Sequence, residues 1–192
     1  MLGAWTGHGQ LDPSRVGMFG FSLGGFTTLV EAGGTPELAR MAELCKTRPD
    51  APECTFVKQN HGDQLEPSAT KPKWIHDSRI KAAVIAAPAV GFLFDAGGLD
   101  QVLIPTQLWR ASKDQQAPDA WNSGVVRKEL PKAPDEHVVT GVDHFVFLAP
   151  CSNALAKAAP FICTDPPGFS REEFHEDFNR AIVAFFESRL KS

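Results

Sequence analysis

The stretch Val16-Gly17-Met18-Phe19-Gly20-Phe21-Ser22-Leu23-Gly24-Gly25 decides how this chain reads. Its first six residues, VGMFGF, form a continuous apolar run, the mark of a strand buried in a parallel sheet rather than of one alternating between core and water. Residues 23–32 follow a helical pattern and stop on Gly33 and Gly34, which puts Ser22 at a strand-to-helix junction. A G-x-S-x-G pentapeptide at such a junction lifts a serine hydroxyl clear of the sheet on a sharp turn, where a base can reach it. Gly20 and Gly24, with Gly25, read as positions where neighbouring backbone comes too close for a side chain. The first helical amide, that of Leu23, is the expected donor to an oxyanion.

Three more apolar runs follow, at 80–87 (IKAAVIAA), 104–111 (IPTQLWRA) and 137–142 (HVVTGV). Strands alternating with helical patterns predict an α/β fold: a mainly parallel sheet of about four strands flanked by helices, one domain over residues 1–192. The last helix is marked by a capping box, Ser170 with Glu173, after which Phe174, Phe178, Ile182, Phe185 and Leu190 share a face. Residues 35–77 are too long for an ordinary connection and read as an insertion with a helix near 36–45. Phe56, Leu65 and Trp74 give it apolar surface, either as a lid over a cleft or as a satellite cluster on the core.

A serine nucleophile needs a base and a carboxylate to orient it, and on this kind of turn the chain order is Ser, then Asp or Glu, then His. Asp114 lies just past the run ending at Ala111, in Ser112-Lys113-Asp114, where an orienting carboxylate belongs; Asp95 and Asp119 are its rivals. His144 follows the run at 137–142 and is placed to act as the base. Among the other histidines, His8 precedes the nucleophile, His61 and His76 fall in the insertion, His137 begins a strand, and His175 is expected on the exposed face of the last helix.

Composition narrows the classes. Lys plus Arg number 19 against 23 Asp plus Glu, a formal charge of −4 with no basic run, so nucleic acid is not an expected partner. No stretch is apolar enough to span a bilayer. No cluster has metal-ligand spacing and no nucleotide-binding glycine fingerprint occurs, so neither metal nor organic cofactor is expected. Residues 1–10 have no signal-peptide pattern. The four cysteines form two sequence-local pairs, Cys45 with Cys54 and Cys151 with Cys163, which read as loop-stapling disulfides and hence as an exported protein; four cysteines permit three connectivities, and this pairing is the expected one.

The segments GFSLGG after LDPSRVGMF, the SKD loop and the VDHF turn together resemble the dienelactone hydrolase-related branch of the α/β-hydrolase superfamily, over nearly the whole chain. Within it the chain is most similar to serine-bearing predicted hydrolases, often exported, that are also similar to platelet-activating-factor acetylhydrolases. The resemblance implies hydrolysis of small or polymeric carboxylic esters with Ser22, Asp114 and His144 at the triad positions, in a secreted or periplasmic setting. Dienelactone hydrolases proper carry cysteine where this chain has Ser22, so lactone chemistry is not inherited. In the acetylhydrolases the acid follows the earlier strand, where this chain has Ala87, Pro88 and Ala89, and this favours Asp114.

Superfamily members lay down about four strands and two helices before the elbow strand, whereas residues 1–15 precede it here. The resemblance therefore implies a partial α/β-hydrolase fold, an oxyanion hole with Leu23 as its remaining donor, and an exposed edge on the nucleophile strand that a homodimer would cover. Two readings follow: an esterase, or an inactive remnant that acts as a binding or dimerisation module.

Overall fold

The computed structural model describes residues 11–61 and 73–191. Four strands, β1 (Val16–Phe21), β2 (Ile80–Ala86), β3 (Thr106–Ala111) and β4 (Asp135–Val139), form one sheet in the order β1-β2-β3-β4, every neighbouring pair parallel. Among the described residues seven α-helices follow or separate them: α1 (Leu23–Glu31), α2 (Ala39–Thr47), α3 (Pro52–His61), α4 (Ser123–Glu129), α5 (Asn153–Ala158), α6 (Pro160–Cys163) and α7 (Arg171–Arg189). Leu65 of the insertion and His8 lie outside the described residues. No helix among the described residues is long and apolar enough to cross a membrane.

The central strands are buried on both faces, which is why they read as unbroken apolar runs. Ala82, Val84 and Ala86 of β2 join Trp109 and Ala111 of β3 beneath Phe178 and Phe185 of α7. On the opposite face Ile85 and Leu108 pack with Leu29 of α1, Val126 of α4 and the buried Phe94. The result is a parallel α/β sheet flanked by helices. Trp109 keeps its indole N–H satisfied inside the core by donating to Gln107 Oε1 at 2.8 Å, the neighbour two residues back on the same face.

The outer strand departs from the expected 137–142. β4 begins at Asp135 and ends at Val139, because Gly141, at φ 82°, turns the chain toward the site. Its first residues are acidic and invisible to a search for apolar runs. They are held by long side chains: Gln107 Nε2 donates to Asp135 at 2.8 Å, and Glu136 accepts from Arg110 at 2.8 Å and Arg127 at 2.6 Å. β3 likewise starts at Thr106 rather than 104, since Pro105 has no N–H to pair and contributes its carbonyl to Ala83 instead. At the other edge β1 has β2 as its one strand neighbour among the described residues, and Phe19 is 44% exposed there.

Ser170 caps α7 by accepting from the Glu173 amide at 3.3 Å. His175 is not on an exposed face: it is half-buried and its Nε2 lies 2.8 Å from the Val146 carbonyl, tying α7 to the loop after β4. That contact spans 29 residues and leaves no trace in the helix pattern.

Among its described residues the insertion holds two helices, and the first begins at Ala39 rather than 36. α2 contains no buried residue, and nine residues are too few to hold a helix in water unaided. The Cys45–Cys54 disulfide ties it to α3, where Cys54 is fully buried; a second disulfide, Cys151–Cys163, ties the chain just before α5 to the end of α6. Trp74 anchors the returning chain on the core beside Phe26, its indole N–H donating to Pro36. Closing a loop of this size is worth about 2–3 kcal/mol on chain-entropy grounds. A Cys45→Ser, Cys54→Ser protein is therefore expected to exchange amide hydrogens in residues 39–59 about 100-fold faster, with those of β2 and β3 unchanged. Equal protection in both proteins would show that the staple is energetically idle.

Candidate active site

Ser22 sits in a backbone conformation that side-chain-bearing residues avoid, φ 55° and ψ −118°, between the end of β1 and the start of α1. Such strain, about 1–3 kcal/mol, persists only where surroundings over-determine it. Here they do. The Ser22 amide donates to Ala86 at the end of β2 at 2.9 Å, and its carbonyl accepts from the amides of Gly25 (2.9 Å), Phe26 (3.2 Å) and Ala89 (3.1 Å).

Gly20 is required by this turn, since a Cβ there would run into the Gly24 carbonyl and the Thr28 hydroxyl. Gly24 is different from expectation: a Cβ would meet nothing within 4 Å, so that side of the turn is open and closeness of backbone does not explain the glycine. Leu23, the first residue of α1, has an amide with no carbonyl one turn earlier to receive it, and its side chain is 57% exposed.

Ser22 Oγ lies 2.9 Å from His144 Nε2, and His144 Nδ1 lies 2.8 Å from Asp114 Oδ2. The serine and histidine are 122 residues apart in the chain. The Asp114 and His144 side chains are each 4% exposed, so little water competes for these bonds. Asp114 Oδ1 is already occupied, accepting from the amides of Gln116 at 3.0 Å and Ala117 at 2.7 Å. Its Oδ2 is left to accept from His144 Nδ1–H, and that tautomer leaves Nε2 bare to accept the Ser22 proton. Phe21 packs against the imidazole, ring centroids 4.8 Å apart, and limits its swing.

A residue that sequence reasoning passed over holds the two loops together. Asp143 Oδ1 accepts from the Gln115 amide at 2.8 Å and from the His144 amide at 2.7 Å. The loop bearing Asp114 is thereby fastened to the turn bearing His144. Ser112 adds to the seam, its Oγ accepting from the Gly141 amide at 2.8 Å, and Lys113 N–H donates to Val142 at 3.0 Å. The available signal was the acidic residue just before His144, a capping position for the short 3₁₀ turn His144–Phe147.

The rival residues are engaged elsewhere. Asp95 bonds Lys128 at 3.3 Å and lies 3.6 Å from Arg40. Partial burial works to raise its pKa but is outweighed by the Ala96 amide, Lys128 and Arg40, so its carboxyl is held below the usual range. Asp119 lies 3.6 Å from both Arg110 and Arg127. His76 meets the Val30 carbonyl at 2.7 Å, and His137 stacks on Trp109 at 4.1 Å.

A cavity of about 350 Å³ opens beside Ser22 and His144. α2 and α3 of the insertion form one wall through Met41, Phe56 and Val57; Val90 and Phe145 form another. The wall is mostly apolar, with Glu53 and Gln116 as polar members besides Ser22 and His144. No group of three or more His, Cys, Asp or Glu among the described residues is arranged to hold a metal ion.

No protein-family model matches the chain, and no curated protein does. Among solved structures the chain is similar to a carboxylesterase from Lactobacillus plantarum, with 16% identity and a TM-score of 0.45 over 95% of this chain and 62% of that one. It is also similar to an acetyl ester-xyloside bifunctional hydrolase from Caldicellulosiruptor lactoaceticus, with 16% identity and a TM-score of 0.43 over 93% of this chain and 58% of that one. A lipase/esterase from Lactobacillus plantarum is similar at 15% identity and a TM-score of 0.33, over 70% of this chain and 53% of that one. The chain thus spans about three fifths of the length of the first two.

Proposed function

We propose that this protein is a serine hydrolase that cleaves carboxylic esters through an acyl-enzyme on Ser22, on a partial α/β-hydrolase fold of the dienelactone hydrolase-related kind. The observation that carries the reading is the continuous chain of hydrogen bonds from Ser22 Oγ through His144 to Asp114, opening on an apolar cavity.

Ser22 Oγ attacks the ester carbonyl carbon while its proton passes to His144 Nε2, and the carbonyl oxygen becomes an oxyanion near the Leu23 amide. Asp114 stabilises the imidazolium. The bond to the alcohol oxygen breaks as Nε2 hands the proton to that oxygen, which leaves the acyl group on Ser22. Water then attacks the acyl carbon, giving its proton to Nε2; collapse releases the acid and returns the proton to Ser22. One oxyanion donor contributes about 3–4 kcal/mol of transition-state stabilisation, so the Leu23 amide is a substantial part of the rate.

Helices α2 and α3 of the residue 35–77 insertion line one wall of the substrate cavity, and in this reading they are its lid, within one domain that spans the chain. The two disulfides support an exported protein. The test is hydrolysis of p-nitrophenyl acetate and butyrate, together with labelling by a fluorophosphonate and mapping of the modified peptide. Turnover with the label on Ser22 is the expected result; no turnover and no label on Ser22 would overturn the reading.

One observation favours a second reading, a binding or dimerisation module that retains these residues without turnover. Phe19 on the edge strand β1 is exposed, as is Leu23 at the start of α1, and the space beside Gly24 is open. Sedimentation showing a dimer that dissociates on Phe19→Lys, in a protein without esterase activity, would favour that module.

A further inference from the structure

Between the turn that carries His144 and the last helix runs a segment, residues 151–163, in which no residue is buried. Its helices, α5 and α6, are six and four residues long, too short to hold in water unaided. The segment is nevertheless fastened twice. The Cys151–Cys163 disulfide closes it. Arg171, whose side chain is 4% exposed, donates from Nη1 to the Ile162 carbonyl at 2.9 Å and holds Asp165 from Nε at 2.9 Å and from Nη2 at 2.6 Å. Beside Ile162 on this fixed backbone stands Phe161, 72% exposed. A lone apolar side chain in water needs no explanation, but this one is continuous with the cavity. Phe161 packs edge-to-face on Phe145, ring centroids 5.8 Å apart; Phe145 lines the cavity and packs in the same manner on His144 at 5.4 Å. A file of rings leads from the imidazole, past the cavity wall, to solvent.

The proposed reaction fixes which part of an ester meets that file. In the tetrahedral intermediate the carbonyl oxygen turns to the Leu23 amide. The alcohol oxygen has to come within hydrogen-bond reach of His144 Nε2, which protonates it as it leaves. The alcohol group therefore lies on the His144 side of the cavity, beside Phe145, and the acyl group takes the direction left over. We propose that Phe145 and Phe161 form the alcohol subsite, with Phe161 as a specificity-determining residue that receives the far end of a long apolar alcohol. The preferred substrates are then esters of arylalkyl alcohols rather than methyl or ethyl esters. The proposal rests on the esterase reading. A methyl group stops short of Phe161, whereas an arylalkyl group crosses Phe145 and takes both its own ring and that of Phe161 out of water.

Two isomeric esters separate the alcohol side from the acyl side. Both 3-phenylpropyl butyrate and propyl 4-phenylbutyrate add one phenyl ring to propyl butyrate, the first at the end of the alcohol, the second at the end of the acyl chain. In the wild-type protein kcat/KM for 3-phenylpropyl butyrate should exceed that for propyl butyrate at least about tenfold, the scale on which added apolar contact discriminates between substrates. Phe161→Ala should lower that ratio at least about fivefold, the share of one aromatic contact, and leave the ratio of propyl 4-phenylbutyrate to propyl butyrate within about twofold. With so exposed a side chain the variant should fold, and its Tm checks this. Equal kcat/KM for 3-phenylpropyl and propyl butyrates in the wild-type protein overturns the proposal. So does a Phe161→Ala protein in which the acyl-side isomer is the one affected, or in which all three esters slow by one factor, since Phe161 would then only support Phe145 and His144.

Binding without turnover keeps the two readings apart. In protein labelled with 4-fluorophenylalanine, the Phe161 fluorine resonance, identified by its loss in Phe161→Ala, should move on addition of 3-phenyl-1-propanol and not of 1-propanol. Turnover of propyl butyrate without that movement overturns the alcohol subsite alone. Movement without turnover of any of the three esters overturns the esterase reading and keeps Phe161 as a contact for an aryl-bearing alcohol.

Discussion

Ser22→Ala is expected to lower kcat for p-nitrophenyl acetate by about 10⁴- to 10⁶-fold, with the far-ultraviolet circular dichroism spectrum unchanged. In the proposed reaction the hydroxyl supplies the bond-forming oxygen, and nothing else at the turn replaces it. Its removal should cost the fold little, because Ser22 Oγ bonds His144 while the turn is held by backbone bonds to Ala86, Gly25, Phe26 and Ala89. Alanine also keeps the Cβ that makes φ 55° strained, so that strain is the same in both proteins. Ser22→Gly removes it, and should be as inactive as the alanine variant yet more stable by about 1 kcal/mol, a rise in Tm of about 2–4 °C. A Ser22→Ala protein that kept more than a tenth of the activity would place the nucleophile elsewhere.

How much of this was legible in the chain depended on how local the signal was. The β1–Ser22–α1 turn is written in ten consecutive residues, because backbone closeness at Gly20 and the apolar run before it act over one turn of chain. Asp114 and His144 could be named from their places after apolar runs, and the structure brings both side chains within hydrogen-bond distance of their neighbours in the relay. Gly24 misled, since the pattern suggests crowding where the structure has open space. Asp135 and Glu136 of β4 were missed because an outer strand can carry charge where side chains from β3 and α4 neutralise it. Glu53 was out of reach for a different reason: its partners Trp121 and Asn122 are 68 and 69 residues away, and nothing in the sequence near Glu53 marks it as buried.

Asp114→Asn is expected to lower kcat by about 10⁴-fold, and the anchoring of the carboxylate says why. Oδ1 takes two amide hydrogens, from Gln116 and Ala117, so an asparagine must keep its carbonyl oxygen there; the opposite rotamer would set its NH₂ against two N–H donors. The amide nitrogen then faces His144 Nδ1, where the carboxylate oxygen stood at 2.8 Å. A donor at that place turns Nδ1 into an acceptor and moves the imidazole proton to Nε2. Nε2 then donates toward Ser22 Oγ and has no lone pair with which to take the serine proton. The histidine stays where it was, and it is the wrong tautomer that stops the reaction. Asp95→Asn, by contrast, alters a carboxylate paired with Lys128 and Arg40, and should leave kcat within about threefold, the range left to surface charge changes away from a site. Initial rates with p-nitrophenyl acetate for the two variants decide the matter: if Asp95→Asn is the more damaging change, Asp114 is not the orienting acid.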